Sequence, residues 1–396
     1  MSIEKIAVIG SGLMGHGIAQ VAAISGQEVF LYDISEKFLE NAMEKIKGSL
    51  GKLSEKGKIQ ERPELVLKRI KPTTNFARSM SEIDAVIEAV PEDINLKRKI
   101  FSDLCTYAHK DAILATNTSG LSITMISEAT KRKEKVIGMH WMNPPQIMRL
   151  IELIKGKYTD EETLQSTLEL CKRYNKETIV TRKDVWSFLA ARAQHGWALE
   201  AGLMYLRKEA DFKEIDAAAR YKLGLPMGPF ELVDFVSGVD IRIKGLVSVE
   251  EILKTYPEFE PWPTFLAVHK YLIKELWKPM SEKGLCGVKT GKGFYSYPEG
   301  KYLKPEISRE LAEKVDLIQL LAPAINVAAW CVSNGIGSIE DINKSFKLAH
   351  NWPKGIFEYL DEYGVNSIVS VLKAKEKKAP EWLKEFYRVD TLLKGF

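Results

Sequence analysis

The stretch Lys5–Gly26, KIAVIGSGLMGHGIAQVAAISG, constrains this chain more than any other. A short apolar β-type run leads into Gly10-x-Gly12-x-x-Gly15, and apolar residues then recur at helical spacing. Such a segment folds as strand, tight turn and helix. Gly10 permits the turn, Gly12 lets an anion approach the backbone, and Gly15 lets the helix pack on the strand. The free N–H groups and partial positive charge of the helix start then face a phosphate. Leu13 and Met14 complete the loop and are counted with Gly10, Gly12 and Gly15 as cofactor contacts.

The motif alone is weak, but its surroundings fit. Asp33 closes the next β-type run, EVFLYD. A carboxylate there accepts hydrogen bonds from the ribose hydroxyls and repels a 2′-phosphate, which favours NAD over NADP. The runs DAVIEAV, AILATN and KVIGMHW follow, separated by helix-type segments. That alternation predicts an α/β, Rossmann-type dinucleotide-binding domain on a parallel sheet.

From Asp184 the pattern changes to long helices, predicted at 186–206, 212–223, 229–246 and 264–277. An internal repeat lies within this half. Pro226, Gly228, Phe230, Glu231 and Asp234 recur as Pro353, Gly355, Phe357, Glu358 and Asp361, each 127 residues on, as Ile342 is from Ile215. Two all-α domains related by duplication are therefore expected. The predicted boundaries are 1–183 for the NAD-binding domain, then 184–298 and 299–396. GVKTGKGFYSYPEGKY reads as a turn and short extended piece closing the first copy, and KAKEKKAPEW as a solvated linker or arm.

His140 ends one β-type run, and Glu152 lies in the next, MRLIELI, after Asn143-Pro144-Pro145. Oxidation of an alcohol by a nicotinamide needs a base for the hydroxyl proton, and histidine has a suitable pKa. A carboxylate on its other ring nitrogen fixes the tautomer and steadies the imidazolium. Spacing alone leaves open whether the two residues form this pair or His140 is a satisfied structural histidine.

Several blocks between residues 3 and 297 carry a resemblance to the 3-hydroxyacyl-CoA dehydrogenases. They are VIGSGLMGHGIAQVAA, DAVIEAVPEDINLKRKIF, ATNTSGLSIT, GMHWMNPPQIMRLIELI, KLGLPMGPFELVDFV and GKGFYSY. The resemblance implies reversible oxidation of an (S)-3-hydroxyacyl-CoA, short-chain 3-hydroxybutyryl-CoA included, with NAD as acceptor. It makes His140 the general base, Glu152 its orienting carboxylate and Ser119 the holder of the substrate's 3-oxygen. Glu92, Lys97, Asn117 and Asn143 become cofactor-side residues, and Ser49 and Lys56 coenzyme A contacts. Without it, Ser119 reads as a helix cap and Lys56 as part of a solvated charged face.

One block departs from the family pattern. DVWSFLAAR keeps Asp184, Phe188 and Arg192 but places Trp186, Ser187 and Ala191 where the family has Pro, Gly and Asn. Losing one positioned hydrogen-bonding group costs on the order of 10²-fold in turnover where it serves an oxyanion hole. Two other readings therefore stay open. One is an NAD-dependent dehydrogenase of a free 3-hydroxy acid, such as a sugar acid. The other is a non-catalytic NAD- or acyl-CoA-binding relative.

Fifty-seven basic and 53 acidic residues leave a net charge of +4, too diffuse to suggest a nucleic-acid partner. No apolar run reaches membrane-spanning length, no signal peptide is expected, and four scattered cysteines suggest a reducing, cytoplasmic setting without a metal site. Similar helical copies can pair as two subunits do. The expectation is a monomer through an intrachain pseudo-dimer, or a homodimer.

Overall fold

The computed structural model describes residues 3–236 and 238–395. The chain divides into two compact units, Met1–Asp184 and Val185–Phe396.

The first unit is built on eight strands: β1 (Lys5–Ile9), β2 (Glu28–Tyr32), β3 (Ile70–Thr73), β4 (Ala85–Glu88), β5 (Ile113–Thr116), β6 (Val136–Trp141), β7 (Leu150–Ile154) and β8 (Glu177–Thr181). Their order is β3-β2-β1-β4-β5-β6-β7-β8. β1 to β6 pair in parallel, as their apolar, two-face-buried sequences require. Strand order reverses beside β1, which opens a crevice at the carboxyl ends of β1 and β4. Ile6, Val8, Val29, Leu31, Ile87 and Ala115 share one core cluster with Ile18 and Ala22 of the helix Gly15–Ile24.

The sheet departs from the all-parallel expectation at its far side. The connection 142–149 is too short for a crossover, so β7 returns antiparallel to β6. β8 then pairs in parallel with β7.

The second unit is helical. A helix expected from Trp186 begins at Ala190 instead, because Ser187 and Phe188 sit at φ 65° and 49° and break the helical path. The helix Ala190–Leu206 packs along Ile318–Ser333, and Gly196 sits where an added Cβ would lie 2.9 Å from the Ala324 Cα.

Both halves of the repeat form two helices around one turn: Phe212–Tyr221 with Pro229–Val236, and Ile339–Ala349 with Ile356–Tyr363. In the first, Asp216 Oδ1 accepts from Phe230 N at 3.0 Å. In the second, Asn343 Oδ1 accepts from Phe357 N at 2.9 Å. Gly228 N donates to Glu231 and Gly355 N to Glu358. Asp216 and Asp234 also accept from Tyr295 and Tyr297 of the GFYSY segment, which pins that segment to the first helix pair.

The expected linker KAKEKKAPEW is a correction. Its first part ends the helix Val365–Lys378, and its last two residues begin Glu381–Tyr387. Lys375 holds the helix by an ion pair to the buried Glu200 at 2.8 Å.

Candidate active site

The glycine loop follows from close contacts. Gly10 has φ 93°, and a Cβ there would stand 2.7 Å from Ala89 O. A Cβ on Gly15 would fall 1.7 Å from Gly10 O, so only glycine lets the helix start so near the strand. At Gly12 a Cβ would meet nothing within 4 Å, so this position is open to a ligand. Beside the loop lies a cleft of about 1210 Å³ within the first unit, lined in part by Gly10, Gly12, Leu13, Met14, Asp33, Glu92, Asn117, Ser119, His140 and Asn143. That exceeds the usual small-molecule pocket of about 300–1,000 Å³, as an extended ligand requires.

Asp33 follows β2 at the cleft wall. Its Oδ2 accepts from Ser11 N and Oγ, both at 2.7 Å, and Oδ1 from Ile34 N, which fixes the carboxylate in place. His16 points its Nδ1 back to Gly12 O at 2.6 Å and so braces the loop.

In the β6–β7 register, His140 stands directly opposite Glu152. His140 Nδ1 lies 3.0 Å from Glu152 Oε2. Glu152 is fully buried, and its Oε1 accepts from Thr181 Oγ1 of β8 at 2.6 Å. With both carboxyl oxygens accepting, Nδ1 carries the ring hydrogen and Nε2 keeps a lone pair. His140 keeps 16% of its side chain exposed and lines the cleft.

Ser119 also lines the cleft. It does not cap the following helix: Ser122 does, accepting from Met125 N. Ser119 is instead held by Glu92, whose Oε1 accepts from Ser119 N at 2.9 Å, Ser119 Oγ at 3.3 Å and Thr118 Oγ1 at 2.6 Å. Asn117 accepts from Trp141 N at 2.9 Å, tying the end of β5 to the strand that carries His140. Asn143 sits on the loop after β6. Half-buried Lys176 donates to Pro145 O and Met148 O at 2.6 and 2.5 Å and so holds that loop. Burial lowers the Lys176 pKa to about 8.

Three expected contacts lie away from the cleft wall. Lys97 is 1% exposed and forms an ion pair with the buried Glu88 at 2.7 Å, with Glu92 at 3.4 Å. Its place is behind Glu92. Ser49 lies on the helix Glu36–Glu55, and Lys56 caps its end. That helix lines the cleft through Asn41, Ala42 and Lys45 instead. Thr181, Thr118, Thr116 and Glu88 escaped the sequence reading. Only the alternation within ETIVT, which turns Thr181 and Ile179 to one side of β8, offered a signal for the first of them.

The fold is that of a dinucleotide-binding oxidoreductase, and its cleft holds a hydrogen-bonded histidine–carboxylate pair. The family description "3-hydroxyacyl-CoA dehydrogenase, NAD binding domain" matches residues 5–185, and that of the family's C-terminal domain matches 188–297 and 318–394. The mitochondrial hydroxyacyl-coenzyme A dehydrogenase of Mus musculus is 36% identical over 302 residues, covering 74% of this chain and 91% of that protein. A probable 3-hydroxybutyryl-CoA dehydrogenase of Deinococcus radiodurans is 36% identical over 293 residues, covering 74% of this chain and all of that one. The crystal structure of 3-hydroxybutyryl-CoA dehydrogenase from Escherichia coli K12 superposes with a TM-score of 0.84 at 25% identity, covering 100% of this chain and 98% of that one. The chain belongs to the 3-hydroxyacyl-CoA dehydrogenase family.

Proposed function

We propose that this protein catalyses the reversible, NAD-dependent oxidation of (S)-3-hydroxyacyl-CoA to 3-oxoacyl-CoA, with short-chain substrates such as 3-hydroxybutyryl-CoA among them. The supporting observation is the His140–Glu152 pair opening on the same cleft as the glycine loop. The residues fit the cofactor: Gly12 leaves the backbone bare for a pyrophosphate, and Asp33 stands fixed where a ribose would lie. Bound nicotinamide supplies the hydride acceptor. His140 Nε2 takes the proton of the 3-hydroxyl as C3 gives up its hydride. Glu152 steadies the resulting imidazolium, Thr181 steadies Glu152, and Ser119, aimed by Glu92, holds the 3-oxygen. Asn117 and Asn143 flank the cofactor side, with Lys97 acting through Glu92. Ser49 and Lys56 remain proposed coenzyme A contacts on the exposed helix.

The test is NADH consumption with acetoacetyl-CoA by wild type and His140→Ala. Turnover lost only in the variant is expected; equal slow rates in both would remove His140 from its role.

The two helical segments are proposed to be copies, the second taking the place of a partner subunit. The two matches to one domain description and the recurring Asp216/Asn343 hydrogen bond support this. Truncation near residue 298 bares the apolar face of Ala190–Leu206, so the shortened chain should self-associate in sedimentation while the full chain stays monomeric. An unchanged state would count against it. The described residues include no helix long and apolar enough to cross a membrane. All four cysteines are free, which fits a reducing compartment such as the cytoplasm.

A further inference from the structure

The helical unit holds a cavity of about 170 Å³ that the proposed chemistry does not use. Its apolar walls include Trp186, Leu199, Phe230, Leu246, Leu272 and Trp277. Its polar groups are Ser187, His195, His269 and Arg242. An engineered cavity of about 150 Å³ takes benzene, so a stem of roughly six carbons fits a space of this size.

Arg242 is the unusual member. The buried arginines of this unit each have a carboxylate: Arg192 has Glu260 at 2.7 Å and Arg220 has Glu231 at 2.5 Å. Among the described residues Arg242 has none, and its Nε is sealed from solvent without a hydrogen-bond partner. Asp240, two residues before it, is taken by Lys289. The Trp277 ring lies 5.8 Å from the Arg242 Cζ, and the two nearby histidines, His195 and His269, carry no negative charge. Desolvation alone lowers its pKa to about 10, so it stays charged at neutral pH. Arg242 is half-buried with its Nε sealed, and a partly desolvated cation without a counter-ion is costly, a cost that falls when an anion arrives.

The histidines do not supply that anion. His269 Nδ1 lies 2.9 Å from Phe265 O and therefore donates to it. Its Nε2 then accepts from His195 Nδ1 at 3.3 Å, so both rings are neutral. Burial, then the neighbouring positive charges, pushes His269 down to about 3, and burial and His269 hold His195 well below its usual value. Trp186 and Ser187, which replace the family's Pro and Gly, both wall the cavity.

We infer that this cavity binds a carboxylate carried on a short apolar stem, with Arg242 as the anchoring cation. Two sources share that chemistry: a free short-chain acid, or an acyl-CoA whose chain ends in a carboxylate. The second rests on the proposed oxidoreductase activity; the first does not.

The experiment titrates hexanoate and hexanamide into the full chain by calorimetry, with wild type, Arg242→Met and Arg242→Lys. A second arm compares kcat/KM for six-carbon 3-oxoacyl-CoA substrates ending in carboxylate or methyl. Either of two results supports the site: hexanoate binding wild type at least about tenfold more tightly than the amide, or a similar preference for the carboxylate-ended substrate. The first identifies a free acid, the second the acyl end. Either preference should vanish in Arg242→Met and survive in part in Arg242→Lys. Arg242→Met should also melt no lower than wild type, because it removes an unpaired charge. No preference in either arm overturns the inference and leaves a cavity that holds water. So does a melting temperature lowered in Arg242→Met with wild-type preferences, which makes the arginine structural. Turnover of the methyl-ended substrate by wild type reports separately on the oxidoreductase reading.

Discussion

Replacing Thr181 by valine removes one hydrogen bond and adds almost no volume. Thr181 Oγ1 lies 2.6 Å from Glu152 Oε1, and both residues are wholly buried. Valine keeps the β-branch that suits β8, but leaves one oxygen of the carboxylate facing a methyl group. A hydrogen bond to a charged group contributes about 1.5–3 kcal/mol, and a buried acceptor left without its donor forfeits that amount. Folding stability should fall by the same range. If the loss is felt when Glu152 must steady a charged imidazole, the barrier rises equally, and kcat falls about ten- to hundredfold. Thr181→Ser keeps the hydroxyl and should restore most of the rate. The assay is kcat and KM for acetoacetyl-CoA reduction by NADH, beside urea unfolding of the same proteins. A valine variant that loses stability but keeps wild-type kcat would show that Thr181 serves the fold alone. A serine variant as slow as the valine one would trace the loss to packing.

The glycine loop yields a paired prediction. Gly12→Ala should melt as wild type does, since its Cβ meets nothing, yet bind NADH at least about tenfold more weakly because the methyl occupies the pyrophosphate's approach. Gly15→Ala, with its Cβ 1.7 Å from Gly10 O, should fail to fold or melt far lower; equal behaviour of the two variants would refute the assignment. Burial raises the Asp216 carboxyl to about 7 against hydrogen bonds from Phe230, Tyr295 and Glu231 that oppose the rise. The folded state then binds the extra proton between about pH 4 and 7. Its contribution is complete at the acid end and lost as pH rises, by at most about 4 kcal/mol. Asp216→Asn should flatten that slope in urea unfolding at pH 5 and 7.5, and an unaltered slope would assign the titration elsewhere.

How much of this was legible in the sequence depended on the reach of each interaction. The glycine turn acts over a few residues, so its spacing sufficed, and Asp33 was placed by ending the next β-type run, whose parallel pairing with the first brings it to Ser11. Spacing made His140 and Glu152 candidates for neighbouring strands across a short loop but left their pairing open, which the strand register then supplied. Thr181 reaches Glu152 from 29 residues away, through the pairing of β8 with β7, and no local spacing announces that. Lys97 was expected at the cofactor through the family resemblance; the sheet's placement of the buried Glu88 beneath it draws it into an ion pair behind the cleft instead. The charged run KAKEKKAPEW resembled a linker because its anchor, Glu200, lies 175 residues earlier. At Ser187 and Phe188 a helix-like pattern gave way to left-handed backbone, which side-chain periodicity does not encode.

The paired hydrogen bonds at Asp216 and Asn343 carry an evolutionary consequence. A homodimer must accept every substitution twice, once in each subunit, so a helpful change on one side is inseparable from the same change on the other. With both halves written into a single polypeptide, as proposed here, that coupling is gone. One half has a titrating acid held by the Tyr295 hydroxyl while its counterpart has a neutral amide. Each half is then free to specialise, one toward the ligand and the other toward support.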